Sequence, residues 1–392
     1  MTALGTAFTI GAGFANAAIW VYLLTARGQF WRDKPERADF PPPATWPRIA
    51  AVIPARNEAE IIATTIRSLT AQDYPGELGI VLVDDNSDDG TGDLARAAAA
   101  ESVWPVVVLR GAELQPGWTG KMWAVSQGVA EAEVRFDPDF LLLTDADVVH
   151  HKTNLSELAT RAEAGKRDLV SLMPKLHCST FAERAMLPAF VYFFEMLYPF
   201  RWVADPRRPV AAAAGGCMLV RRTALDRVGG IARLKAAIFE DCVLAAAIKP
   251  GNPGGVWLGL TDATRDLRVY NSVGEIWNMV ARYAFTQLNH SAWMLAGTVL
   301  SLFVTFLAPP LLFWFGQGLV AALGALSWLT MAASFQPILR FYGRSPLWGL
   351  TLPFIAAVYL GATIHSAQRY WQGKGGLWKG RAQAHTIDEI SS

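Results

Sequence analysis

The chain has 392 residues, 52% of them hydrophobic and only 18% charged, with a net charge of +1. So even a balance gives no basic bias toward nucleic acid, and the apolar excess is gathered into long blocks. Three cysteines, Cys178, Cys217 and Cys242, are an odd number without close spacing, which excludes a disulfide framework and a cysteine metal site.

Residues 1–26 contain no Lys, Arg, Asp or Glu and are long enough to cross a bilayer. A cleaved leader would begin with positive charge, but the first charge is Arg27, so the block is read as a retained transmembrane anchor. Arg27, Arg32, Lys34 and Arg37 follow at once. The positive-inside rule then places the N-terminus outside and the next domain in the cytoplasm, on the inner membrane of a multi-pass protein. A linker over 27–47, closed by Pro41-Pro42-Pro43, leads into a domain over 48–290.

That domain alternates. Strands are predicted at 49–53, 80–83, 106–109 and 140–143, with helices at 59–71, 92–100 and 121–131 between them. Such alternation predicts an α/β domain with a mostly parallel sheet and helices on both faces, binding its ligand at the carboxyl ends of the strands. Three of those ends carry polar clusters: Pro54-Ala55-Arg56-Asn57-Glu58, Asp84-Asp85-Asn86-Ser87-Asp88-Asp89-Gly90-Thr91, and Asp145-Ala146-Asp147. Asp/Asn/Ser/Gly runs also serve as turns and caps, which suffices for Ser87 or Asp88. Asp84 and Asp85 sit on the strand itself. Asp145 and Asp147, after the apolar run Phe140–Leu143, can hold Mg²⁺ or Mn²⁺ together with the oxygens of a diphosphate. His150 and His151 read as solvent-facing.

In order along the chain, these motifs are followed by Pro116-Gly117-Trp118-Thr119-Gly120-Lys121, then Gly215-Gly216-Cys217-Met218-Leu219-Val220-Arg221-Arg222, and Phe239-Glu240-Asp241. The series resembles the family 2 glycosyltransferases over most of 48–290. With the anchor and the later apolar blocks, it is most similar to the membrane-bound hopene-associated glycosyltransferases, relatives of the ceramide glucosyltransferases. The resemblance implies a GT-A fold, a Rossmann-like nucleotide-diphospho-sugar transferase domain, and inverting transfer from a nucleotide-sugar, UDP-linked by preference. It also implies roles. Pro54, Ala55, Arg56, Glu58, Asp84 and Asp85 would line the nucleoside. Lys121 would lie near the donor, Asp145 would meet the ribose or the metal, and Asp147 the metal. Asp241 would be the general base, with Glu240 and Gly216 beside the acceptor. Met279-Val280-Ala281-Arg282-Tyr283 departs from the family pattern of Gln or Arg, two free positions, Arg and Trp. It keeps Arg282 for the diphosphate and Tyr283 to wall the acceptor, and the departure argues against a processive polymer synthase.

The chemistry of transfer asks for those groups independently. A cation offsets charge on the departing diphosphate, and a carboxylate opposite it takes the acceptor proton, which inverts the anomeric centre. Read locally, Lys121 is equally a solvated helix-start residue, and Glu240 and Asp241 equally complement a helix N-terminus.

Residues 185–203 are rich in aromatics and read either as an interfacial helix or as a core helix. The C-terminal block predicts membrane helices at about 291–315, 318–335 and 347–366, with Gly316-Gln317-Gly318 as a turn and Pro309-Pro310 as a kink. Four crossings from an outside start leave the tail, 367–392, outside, whereas its Arg369, Lys374, Lys379 and Arg381 favour the cytoplasm. The leading reading is transfer of a sugar to a membrane lipid, a hopanoid by the resemblance. The same fold acting on ceramide, a carotenoid, a polyprenyl phosphate or a polysaccharide is the second, and a catalytically silent scaffold that binds nucleotide-sugar or lipid the third.

Overall fold

The structure, a computed structural model, describes residues 3–250, 254–373, 377–378 and 381–382. Lys374, Lys379 and His385 of the expected tail lie outside them. The chain divides into a sheet unit, Pro35–His177 with Trp202–Arg268 and Gly376–Ser392, and a helical unit, Met1–Lys34 with Cys178–Arg201 and Val269–Gly375. Residues 178–201 and 269–290, expected within the 48–290 domain, therefore fall in the helical unit.

Among the described residues, the main sheet of the sheet unit has eight strands: β1 (Ile49–Ala55), β2 (Leu78–Asp84), β3 (Val106–Arg110), β4 (Phe140–Leu143), β5 (Val148–His150), β6 (Leu169–Lys175), β7 (Met218–Arg221) and β8 (Val256–Asp266). Their order is β3-β2-β1-β4-β7-β6-β8-β5. All seven residues of β1 are buried, as expected of a central strand covered on both faces. Ile62, Ile66 and Leu69 of the helix Ile62–Thr70 pack with Ile49, Ile53 and Leu82 in one core. Each such side chain removed from water contributes roughly 1.5–3 kcal/mol.

The first four strands run parallel to one another, as the alternation predicts. The rest of the sheet is mixed. β7 runs antiparallel to both β4 and β6, and β5 antiparallel to β8. The reversal of β7 has a consequence. Leu143, the last residue of β4, pairs with Met218, the first of β7. The chain therefore enters β7 where it leaves β4, which sets Gly215-Gly216 beside Thr144-Asp145.

Among the described residues of the helical unit, three helices are long and apolar enough to cross a membrane: Ala292–Phe315, Leu319–Phe341 and Pro346–Trp371. A shorter apolar stretch, Thr9–Thr25, lies in the N-terminal helix Ala3–Thr25. Gly318, at φ +53°, supplies the left-handed backbone of the expected turn. A Cβ on Gly324 would stand 2.5 Å from the Phe313 nitrogen, so only glycine lets those two helices approach this closely. The expected proline kink appears as a π-helical turn, Phe303–Leu307, just ahead of Pro309-Pro310. Prolines lack the N–H that would bond to carbonyls a turn earlier. The N-terminal helix supplies donors there: Asn16 Nδ2 to Val304 O at 2.5 Å and Trp20 Nε1 to Thr305 O at 3.1 Å.

The aromatic stretch forms the helix Phe181–Leu197, begun by a Thr180/Glu183 capping box. Its Tyr192 is fully buried and meets Ser334 Oγ at 2.7 Å, while Phe181 is exposed. One face of this helix is thus core.

Candidate active site

The sheet unit gathers the polar strand ends. After β1, the Arg56 guanidinium lies 3.7 Å from Asp85 Oδ2 and donates to the Asp85 carbonyl. Asp85 itself is 1% exposed. The two loops interlock through Asn57 N to Ser87 Oγ and Asp88 N to Asn57 Oδ1. Glu58 N donates to Thr91 Oγ1. Asp84 is turned toward its own loop, where Oδ1 accepts from Ser87 N at 3.0 Å.

At the next strand end, Lys121 Nζ meets Asp145 Oδ1 at 2.7 Å and also contacts Glu240 Oε1. Lys121 is the second residue of the helix Gly120–Phe136, whose N-cap, Thr119, accepts from Met122 N. Burial disfavours its ammonium, but the Asp145 and Glu240 carboxylates outweigh that and hold its pKa well above the usual lysine value. Lys121 is therefore a bridge between two motifs rather than a solvated helix-start residue.

Glu240 and Asp241 open the helix Glu240–Ile248. Asp241 Oδ2 accepts from Gly215 N at 3.0 Å and Oδ1 from Cys242 N at 2.7 Å. Burial, reinforced by the neighbouring Glu240 charge, pushes Asp241 up to about 7. Gly216 has no room for a side chain, because a Cβ would stand 2.8 Å from Pro174 Cγ. Pro54, Lys121, Thr144, Asp145, Gly215 and Glu240 share the wall of one small cavity.

Asp147, 7% exposed, is held at 2.9 Å by Arg268 Nη2. Burial and Asp145 raise its pKa. Burial and Asp147 push Asp266, at the end of β8, up to about 8. The antiparallel register Val148↔Asp266 brings this third carboxylate near. Carboxylates that raise one another's pKa form a donor set that suits a divalent cation. Among the described residues, no three His, Cys, Asp or Glu side chains gather closely enough to hold an ion by themselves. Mg²⁺ or Mn²⁺ held by Asp145 and Asp147 would therefore share its shell with oxygens of a diphosphate.

One expectation changes here. His150 is 3% exposed and not solvent-facing, because β5 carries it inward, where Nε2 meets Thr144 Oγ1 and Nδ1 meets Asn154 Nδ2. Both ring nitrogens are thereby engaged by protein groups. Asp266 and Arg268 escaped the sequence reading because only strand register brings them to Asp147. Arg282 and Tyr283 lie on the helix Val273–Gln287 of the helical unit, the guanidinium against its neighbour's ring at 5.5 Å.

Residues 50–229 match the family model described as glycosyl transferase family 2. The probable glycosyltransferase YdaM of Bacillus subtilis (strain 168) is 25% identical over 197 residues, 47% of this chain and 43% of the relative. The chain thus spans less than half the length of that curated relative. The mannosyltransferase PcManGT of Pyrobaculum calidifontis, solved with GDP-Man and Mn²⁺, superposes with a TM-score of 0.55 at 17% identity, covering 93% of this chain and 99% of that one. Glucosyl-3-phosphoglycerate synthase of Mycobacterium tuberculosis, solved with Mn²⁺ and UDP-Glc, gives 0.41 at 18% identity, covering 62% of this chain and 78% of that one. The α/β sheet with its polar strand ends, the family model and the superposition on the mannosyltransferase agree: residues 50–229 match glycosyl transferase family 2, and the sheet that carries them has the GT-A fold.

Proposed function

We propose that the protein transfers a sugar, with inversion, from a nucleoside-diphosphate sugar to the hydroxyl of a membrane lipid, with Asp241 as general base. The observation that carries the reading is the Lys121 bridge. It ties Asp145, at the expected diphosphate end, to Glu240, next to Asp241. Arg56 and Asp85 line the nucleoside side, with Pro54, Ala55 and Glu58 on the same strand end. Asp145 and Asp147 hold Mg²⁺ or Mn²⁺, which when bound offsets charge on the leaving diphosphate.

The residues of the chain do the rest. A base titrating near 7 takes a proton from an acceptor hydroxyl with good efficiency at neutral pH. Gly215 N–H and Cys242 N–H fix both oxygens of that carboxylate, so its direction is set before the acceptor arrives. The Lys121 ammonium adds a fixed positive charge beside Asp145.

A lipid acceptor is supported by the three apolar helices carried on the same chain. A polycyclic isoprenoid alcohol of the hopanoid type is the favoured class, by the resemblance of the motif series. The catalytic domain faces the cytoplasm, where the soluble donor is made. Radiolabelled sugar from UDP-Glc and GDP-Man, offered in detergent micelles with lipid extract and with soluble sugars, tests the assignment. Label in lipid is expected. Label confined to soluble sugars removes the lipid acceptor, and no transfer from any nucleotide-sugar removes the transferase reading.

A further inference from the structure

Thr144 and His150, two buried side chains given no part in the chemistry above, form a hydrogen-bond chain with the Gly216 carbonyl. Thr144 is 2% exposed, His150 3% and Asn154 0%. Gly216 O can only accept, so the Thr144 hydroxyl donates to it, at 2.7 Å. The Thr144 oxygen is then an acceptor for His150 Nε2–H, at 2.9 Å. His150 Nδ1 accepts from Asn154 Nδ2 at 3.1 Å. Each proton in the chain has one place. Burial lowers His150 to about 4, which keeps the ring neutral and this tautomer intact at neutral pH.

The two ends of the chain matter more than its interior. Thr144 is bonded covalently to Asp145, of the expected metal turn. Gly216 is bonded covalently to Gly215, whose N–H holds Asp241 Oδ2 at 3.0 Å. On its far side the same loop is fixed by Ser171 Oγ, which accepts from Ala214 N at 2.9 Å and donates to Cys217 O at 3.1 Å. The loop is thus clamped between β6 and the end of β4, and Thr144 is the side chain that spans to the carboxylate turn.

The geometry points to a positioning role for Thr144 and His150: they fix the separation between the diphosphate-binding turn and the general base, and so set the rate of transfer rather than the affinity for the diphosphate. This rests on the transferase reading above. A displacement of about 1 Å between reacting groups can cost about a hundredfold in rate. Binding of the nucleoside diphosphate rests on the carboxylates of the Asp145–Asp147 turn, the Lys121 charge and the Arg56–Asp85 end of the site, and is spared.

The test uses the full chain in detergent, with Thr144→Val, Thr144→Ser and His150→Gln. Valine keeps the shape and removes the hydroxyl, serine keeps the hydroxyl, and glutamine can return an N–H to the Nε2 position. Kd is measured for Mn²⁺ with UDP or GDP by calorimetry, and kcat by release of nucleoside diphosphate. Expected are a kcat lower by about ten- to a hundredfold in Thr144→Val, a Kd within about threefold of wild type, and recovery of most of the rate in Thr144→Ser and His150→Gln. A kcat in Thr144→Val close to wild type, or kcat and affinity falling in parallel, overturns the positioning role. If wild type binds the diphosphate yet turns over no donor, the transferase reading fails. The coupling is then read from amide exchange over 213–218. Slowing on Mn²⁺–diphosphate binding in wild type and Thr144→Ser but not in Thr144→Val supports it, and equal slowing in all three overturns it.

Discussion

Gly215 N–H donates to Asp241 Oδ2 at 3.0 Å, so a loop entering the sheet orients a carboxylate at the start of a helix 26 positions later in sequence. The bond favours the charged form, yet burial and Glu240 outweigh it and leave Asp241 at about 7. Donor turnover is therefore expected to climb with pH through about 7 and then level off. Asp241→Asn should lower turnover by about 10²–10⁴-fold while binding of Mn²⁺–diphosphate persists. A variant that turns over donor as fast as wild type takes Asp241 out of the base role.

The same shift has a stability consequence. The folded protein holds a proton on Asp241 at pH values where the unfolded chain, at the ordinary 3.8, has lost it. The stabilisation is complete below about 3.8 and is lost as pH rises through about 7. Thermal scans of Asp241→Asn should match or fall below wild type near pH 4 and exceed it near pH 8. A gap between the two that does not change with pH contradicts the assignment.

Lys121→Met leaves Asp145 and Glu240 facing each other without their shared cation. Breaking a fully buried pair costs about 3–5 kcal/mol. Because the Asp145 side chain is 32% exposed, about 2 kcal/mol is expected here. Urea unfolding in detergent measures it, and an unchanged midpoint would show that the bridge is not formed in solution.

Adjacent glycines should behave differently. Gly216→Ala puts a methyl 2.8 Å from Pro174 and 3.1 Å from Val148, an overpacking cost of about 1–3 kcal/mol. Gly215→Ala meets its nearest neighbours at 3.5 Å, ordinary contact, and should stay within about 0.5 kcal/mol of wild type. Equal destabilisation of the two would contradict the described packing.

In the helical unit, Asn16→Leu removes the donor to Val304 O. Hydrogen bonds between membrane helices are worth about 0.6 kcal/mol on average and about 1.7 at most. A fall in the thermal midpoint in detergent, with a like fall in Trp20→Phe, is expected. No change in either would mean that the N-terminal helix does not serve the proline-broken turn.

Local sequence carried much of this protein because its signals are local. The apolar run Phe140–Leu143 is a strand with those bounds, Gly316-Gln317-Gly318 is the helix turn, and the motifs from Pro54 to Arg222 fall within the stretch, 50–229, that matches family 2. Burial period, turn chemistry and motif spacing reside in neighbouring residues and need no fold to be read. Only the tertiary structure decided the direction of β7, the Lys121 bridge, the burial of His150, and the arrival of Asp266 and Arg268 at Asp147. Each depends on strand register or on which polar group is removed from water, and those are set by packing between segments far apart in the chain.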